Sequence, residues 1–177
     1  TPNEHPKQAP TAEIENEHMD WWKQFKASAC SVKVTANEKE AVLEELVGNL
    51  VSAKVLDKGL QSSAVKALLE REEMASTGIG MNVAIPHVKI PGLESVACGL
   101  AVLTDPVDWN AVDGEPVSVI FLVLRPEDET STHDPSEHLE MMKWIASLGR
   151  DSDFRSFACQ AKTRTDLVQL LKEKAPA

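Results

Sequence analysis

Apolar side chains recur at Ala41, Leu43, Leu46, Val47, Leu50 and Val51, the three-to-four-residue stripe of an amphipathic helix. Asn37, with Glu40 three residues on, is a capping-box-like start for it. A second stripe at Val65, Leu68 and Leu69 predicts a helix over 62–72. The pattern then changes character. Residues 96–103 and 117–124 are apolar almost without interruption, and both are rich in Val and Leu. Such runs suit strands covered on both faces. Asp113-Gly114 between them is a turn signal, so the two strands are expected to pair antiparallel. Shorter strands are predicted over 29–34 and 83–85. After a polar loop over 126–135, Ser136 is a cap for a helix to about Leu148, with Met141, Met142, Ile145 and Leu148 inward. Asp151 or Ser152 opens another helix, and Thr165 the last, with Leu167, Leu170 and Leu171 as its stripe.

Helices before, between and after buried strands predict an α/β fold of three layers, a mixed β-sheet flanked by helices on both faces. The pattern does not contain the strand order. The first twenty residues differ from the rest: they hold Pro2, Pro6 and Pro10 and one lysine against five acidic residues. Residues 1–24 therefore read as an acidic tail, partly helical if Ile14, His18, Trp22 and Phe25 share a face, and 25–177 as the folded domain. That helix is either packed on its own domain or an arm that binds a partner.

The chain has 177 residues, 42% of them hydrophobic, enough to bury a core. Its net charge of −10 argues against a phosphate-backbone ligand and hence against nucleic acid as a partner. No apolar run approaches membrane-spanning length. The N-terminal residues lack the basic-then-apolar order of an export signal. Three cysteines, Cys30, Cys98 and Cys159, are widely spaced, which fits neither a disulfide framework nor a cysteine zinc site. A cytoplasmic location is the simplest expectation.

Candidate chemistry rests on histidine. His5 and His18 fall in the tail. His87 follows Ile85-Pro86, so a stiff proline at the end of a buried strand projects the imidazole from a rigid edge. Upstream, Thr77-Gly78-Ile79-Gly80 lets backbone approach closely, and its N–H groups could cradle an anion. His138 would be the second residue of a helix capped by Ser136, where the helix N-terminus disfavours imidazolium and welcomes phosphate. His133 and His138 are five residues apart with Pro135 between them; this spacing misses the metal-ligating helical patterns, and no metal is expected. Walker, GxGxxG and GxSxG motifs are absent, which argues against a nucleotide-driven kinase. No cofactor is expected.

Taken together, Arg71-Glu72-Glu73-Met74-Ala75-Ser76-Thr77-Gly78-Ile79-Gly80 and Val83-Ala84-Ile85-Pro86-His87 resemble a known signature. It is that of the enzyme IIA domain of the fructose/mannitol (type 2) and nitrogen-related branch of the bacterial phosphoenolpyruvate:sugar phosphotransferase system. The early helix with Lys39 and Glu40, the segment 106–113 and His138-Leu139 have counterparts there too, so the resemblance runs from about Phe25 to Glu173. It implies a cytoplasmic phosphoryl carrier. His87 would accept phosphate from the phosphohistidine of an HPr-type carrier and pass it to a cysteine of an enzyme IIB domain. His138 would be the supporting histidine, and Arg71 and Thr77 would lie near the phosphate. The nitrogen-related relatives imply an alternative, a regulatory protein whose phosphorylation state controls its partners; a binding scaffold without phosphotransfer is the remaining one. The chain departs from the family at Asn82, where glycine is usual, and at Val88, where a small residue is usual.

Overall fold

The computed structural model describes residues 20–127 and 134–176. Six strands form one mixed sheet: β1 (Ser31–Val34), β2 (Gly78–Gly80), β3 (Val83–Ala84), β4 (His87–Ile90), β5 (Ala97–Val107) and β6 (Val117–Pro126). The order is β1-β5-β6-β3-β2, with β4 also pairing β6. The two apolar runs are the central strands and pair antiparallel, as the turn between them implied. On its other side, β6 is joined in parallel first by β3 and then, further along, by β4.

The alternation along β6 separates two cores. Ile120, Leu122 and Leu124 face one layer, where α1 (Lys39–Ser52) contributes Val42, Leu43, Leu46, Val47 and Leu50. The helix α2 (Gln61–Met74) adds Ala64 and Leu68 there. Val119, Phe121 and Val123 face the other layer. It is covered by α3 (Pro135–Arg150), α4 (Ser152–Gln160) and α5 (Arg164–Glu173). The predicted three layers are thus present.

Several helix starts lie elsewhere than the sequence suggested. The α1 helix follows Glu38, which makes no side-chain cap, instead of opening at Asn37. Asp134, not Ser136, caps α3, because Pro135 takes the first helical position and Asp134 Oδ1 accepts from Ser136 N at 2.8 Å. Thr163, not Thr165, caps α5 in a capping box with Asp166. Asp151 caps α4 as expected.

Residues 21–29, in two short 3₁₀ turns, strap across the second core. Trp21 lies 6.0 Å from Trp144, and Phe25, fully buried, meets Phe121 and Trp144 edge-on. The helix expected through Ile14, His18, Trp22 and Phe25 is replaced at its described end by the 3₁₀ turn Trp21–Gln24; Ile14 and His18 lie outside the described residues.

Candidate functional site

The local chain around His87 is built by a tight hairpin. β2 and β3 pair antiparallel with Gly80 opposite Val83, which leaves Met81-Asn82 as a two-residue loop. Both loop residues have positive φ, 56° and 66°, the condition that two-residue hairpin loops of this twist require. Asn tolerates that geometry better than most residues, and Asn82 Nδ2 donates to Pro116 O at 2.8 Å. The departure from glycine at this position is thereby accommodated. Asp113 closes the loop from below: its carboxylate accepts from Met81 N at 2.9 Å and from Glu115 N at 3.0 Å. These two N–H groups hold the Asp113 carboxyl below its ordinary value.

The chain then passes through Ile85-Pro86 into β4, a strand the sequence did not reveal. His87 does not merely end a buried strand; it opens an edge strand of its own. Its register partner is Val123 of β6, a residue of the second core, so the imidazole is directed to the face that α3 covers. The residue is nevertheless exposed. Val88 points the other way and packs on the first core, so its extra bulk lies on the face opposite the imidazole.

His87 Nδ1 lies 2.6 Å from the carbonyl oxygen of Ile85. A carbonyl only accepts, so Nδ1 carries the proton, and in the neutral tautomer that fits this contact Nε2 is the bare nitrogen. The backbone that supplies this carbonyl is fixed on both sides. Ile85 N donates to Thr77 O at 3.0 Å, and Val123 N donates to Pro86 O at 3.0 Å.

His138 is buried and is the fourth residue of α3, not the second, because the cap is Asp134. Its own N–H is already bonded to Asp134 O at 3.0 Å, so it sits one place beyond the free amides of the helix start. It lines a cavity of about 170 Å³ together with Trp21, Gln24, Ser95, Asp134 and Met141. Ser95 leads into β5, whose Ala97 and Cys98 flank Leu124 and Val123 on β6. Val123 is also the partner of His87. Both histidines therefore belong to the same face of the sheet, His87 at its open edge and His138 beneath the start of α3. His133 lies outside the described residues.

Thr77 directly precedes β2, and Arg71 lies in the last turn of α2. Thr77 is buried, and its hydroxyl donates to Glu72 Oε1 while accepting from Trp109 Nε1 at 3.1 Å. Glu72 Oε2 accepts from Lys39 Nζ at 2.9 Å and from Thr77 N at 3.3 Å, and Lys39 Nζ also donates to Trp109 O at 2.8 Å. Three N–H groups in and beside the small-residue stretch are already engaged. The N–H of Thr77 is taken by Glu72, that of Gly78 by Ser76 Oγ at 3.1 Å, and that of Met81 by Asp113. Gly78 is needed for close approach, as a Cβ there would lie 2.7 Å from that of Ala111. Arg71 is half-buried in the last turn of α2, where its Nη1 donates to Ala75 O at 2.8 Å.

The buried cluster of Lys39, Glu72, Thr77 and Trp109 was not anticipated as a unit. Its members all fall in segments that carry the family resemblance, but local periodicity gives no hint that they meet. Cys30 and Cys98 are buried, and burial pushes the Cys30 thiol up to about 11 and that of Cys98 further, whereas Cys159 is exposed on α4.

Residues 23–174 match the family described as "Phosphoenolpyruvate-dependent sugar phosphotransferase system, EIIA 2". A nitrogen regulatory protein of Pseudomonas aeruginosa is 35% identical over 140 residues, covering 79% of this chain and 86% of that protein. A fructose-specific EIIA component of Haloferax volcanii is 27% identical over 135 residues, covering 76% of this chain and 83% of that protein. The crystal structure of the nitrogen regulatory protein IIA-Ntr from Neisseria meningitidis superposes with a TM-score of 0.74 at 25% identity, covering 85% of this chain and 97% of that one. The chain belongs to the EIIA 2 family of the phosphotransferase system.

Proposed function

We propose that this member of the family is a phosphoryl carrier whose phosphorylated atom is Nε2 of His87. The reading is supported above all by one contact: the Nδ1–H of an exposed residue is spent on the Ile85 carbonyl, 2.6 Å away, which leaves Nε2 as the bare nitrogen with its lone pair. In the transfer this lone pair forms a bond to the phosphorus of a phosphohistidine on an HPr-type carrier protein, and the donor's P–N bond breaks. The proton stays on Nδ1, hydrogen-bonded to the Ile85 carbonyl. One P–N bond replaces another, so the protein's task is placement and charge stabilisation. In the second half, a cysteine thiolate of an enzyme IIB domain takes the PO₃ group and His87 recovers its lone pair. His138, on the same face, supports the phosphoryl oxygens, and Arg71 supplies positive charge at the end of α2. A location in the cytoplasm, where such donors work, follows from this reading. Among the described residues no helix is long and apolar enough to cross a membrane.

A second reading is favoured by the names of the relatives. Several curated relatives are called nitrogen regulatory proteins, and a phosphoryl group adding about −1.5 to −2 charges at an exposed edge would change which partners bind. The chemistry at His87 is common to both readings; they differ in the acceptor. Incubation with phosphorylated HPr should label the chain with acid-labile, base-stable phosphate. His87→Ala should abolish the label, and His138→Ala should slow its uptake. Full labelling of a folded His87→Ala protein refutes the assignment. Affinity capture with the phosphorylated and unphosphorylated forms then separates the readings, as a IIB cysteine partner indicates transport and a protein bound by one form alone indicates regulation.

A further inference from the structure

We infer that Thr77 and Glu72 are positioning residues for His87, acting through the backbone of Ile85 and not by touching the phosphoryl group. The inference rests on His87 being the nucleophile. The path is continuous and every step is a hydrogen bond. Lys39 Nζ holds Glu72 Oε2 at 2.9 Å. Glu72 in turn receives both the hydroxyl and the main-chain N–H of Thr77. The Trp109 indole N–H closes the ring onto Thr77 Oγ1 at 3.1 Å and Glu72 Oε1 at 3.3 Å. Thr77 held in this way offers its carbonyl to Ile85 N at 3.0 Å. The carbonyl of that same Ile85 accepts the hydrogen bond from Nδ1–H of His87.

The geometry of this path decides the tautomer. A neutral imidazole in water divides its proton between the two nitrogens, and only the Nδ1–H form offers the Nε2 lone pair. A fixed carbonyl beside Nδ1 selects that form. Ile85 has no side-chain hydrogen bond to fix its peptide planes, so its orientation comes from Thr77 on one side and from the Pro86–Val123 bond on the other. The Thr77 hydroxyl is buried and already engaged at both its donor and acceptor functions. It is therefore placed to hold the loop and not to meet an incoming phosphate. Substituting it should change the state of a ring to which it makes no contact.

The test compares Thr77→Val, Thr77→Ser and Glu72→Gln in the full chain. The ¹⁵N shifts of the His87 ring report the tautomer without any phosphoryl donor. The unaltered protein should show mainly Nδ1–H, with Nε2 bare. Thr77→Val and Glu72→Gln should raise the Nε2–H fraction several-fold. They should also lower the maximal rate of phosphate uptake about tenfold, with the donor KM changed less than twofold. Thr77→Ser, which keeps the hydroxyl, should restore both readouts. The inference is overturned if either Thr77→Val or Glu72→Gln folds, by its amide spectrum, with the tautomer ratio of the unaltered protein. Its failure is distinguishable from that of the carrier reading, which would show as no phosphate uptake by the unaltered chain whatever its tautomer.

Discussion

Replacing Lys39 with methionine removes the only cation that faces a nearly enclosed carboxylate among the described residues. The Glu72 side chain is 4% exposed and that of Lys39 is 21% exposed, at an N–O distance of 2.9 Å. Removing one partner of such a pair costs about 3–5 kcal/mol, because the other charge stays buried without compensation. Here the carboxylate keeps donors from Thr77 and from Trp109, so the lower end applies, about 3 kcal/mol. The substitution also deletes a hydrogen bond to Trp109 O and a cation lying 5.3 Å from the Trp109 ring centroid. For a domain of this size the midpoint of thermal unfolding should fall by roughly 6–12 °C. Urea unfolding followed by far-ultraviolet circular dichroism gives the free energy directly. In the double variant Lys39→Met/Glu72→Gln no buried charge is left, so the two losses should fall short of adding by about 1–3 kcal/mol. A loss below about 1 kcal/mol for Lys39→Met, or strict additivity in the double variant, would show that the pair behaves as a surface ion pair and that the burial argument fails.

Two further outcomes are expected. The Asp113 carboxyl is held below its ordinary value of 3.8 chiefly by the N–H of Met81 and then by that of Glu115. A lowered carboxyl contributes stability that is fully present above the unfolded value and is lost as pH falls through the folded one. The amide resonances of Met81 and Glu115 should therefore stay constant from pH 7 to pH 5 and titrate together with a midpoint below 3.8; a midpoint at or above it contradicts the clamp. Phe25→Ala should cost about 3–5 kcal/mol in the same urea assay, because the ring is fully buried against Phe121 and Trp144; a loss under 1 kcal/mol would mean that the N-terminal strap is not part of the second core.

Legibility in the sequence followed the range of the forces involved. The α1 stripe and the long runs of β5 and β6 were readable because burial imposes a period on many successive residues. β2 and β4 were not. They are three and four residues long, and β4 mixes His87 and Lys89 with Val88 and Ile90, too short a stretch for alternation to stand out. Helix starts were misplaced where two capping side chains compete within three residues: Pro135 favours Asp134 over Ser136, and Asp166 favours Thr163 over Thr165. In the candidate site, the resemblance singles out His87 and His138, and both lie on the same face of the sheet. The resemblance implies that Thr77 lies near the phosphate, but sequence cannot show that its hydroxyl is taken by Glu72 and Trp109, or that Lys39 holds Glu72. Those contacts span 32 to 37 positions, apart from the Glu72–Thr77 step of five, and no local pattern encodes them.

The peptide that carries His87 is tethered by Thr77 on one flank and by Val123 on the other. A dianion arriving on the ring thus finds a mounting with little freedom to swing or refold. On the carrier reading, the loaded and empty proteins would present nearly the same contour to a partner and differ mainly in local potential. Discrimination between them would then be an electrostatic reading, sharp in dilute buffer and blunted once added salt shortens the screening length to a few ångströms.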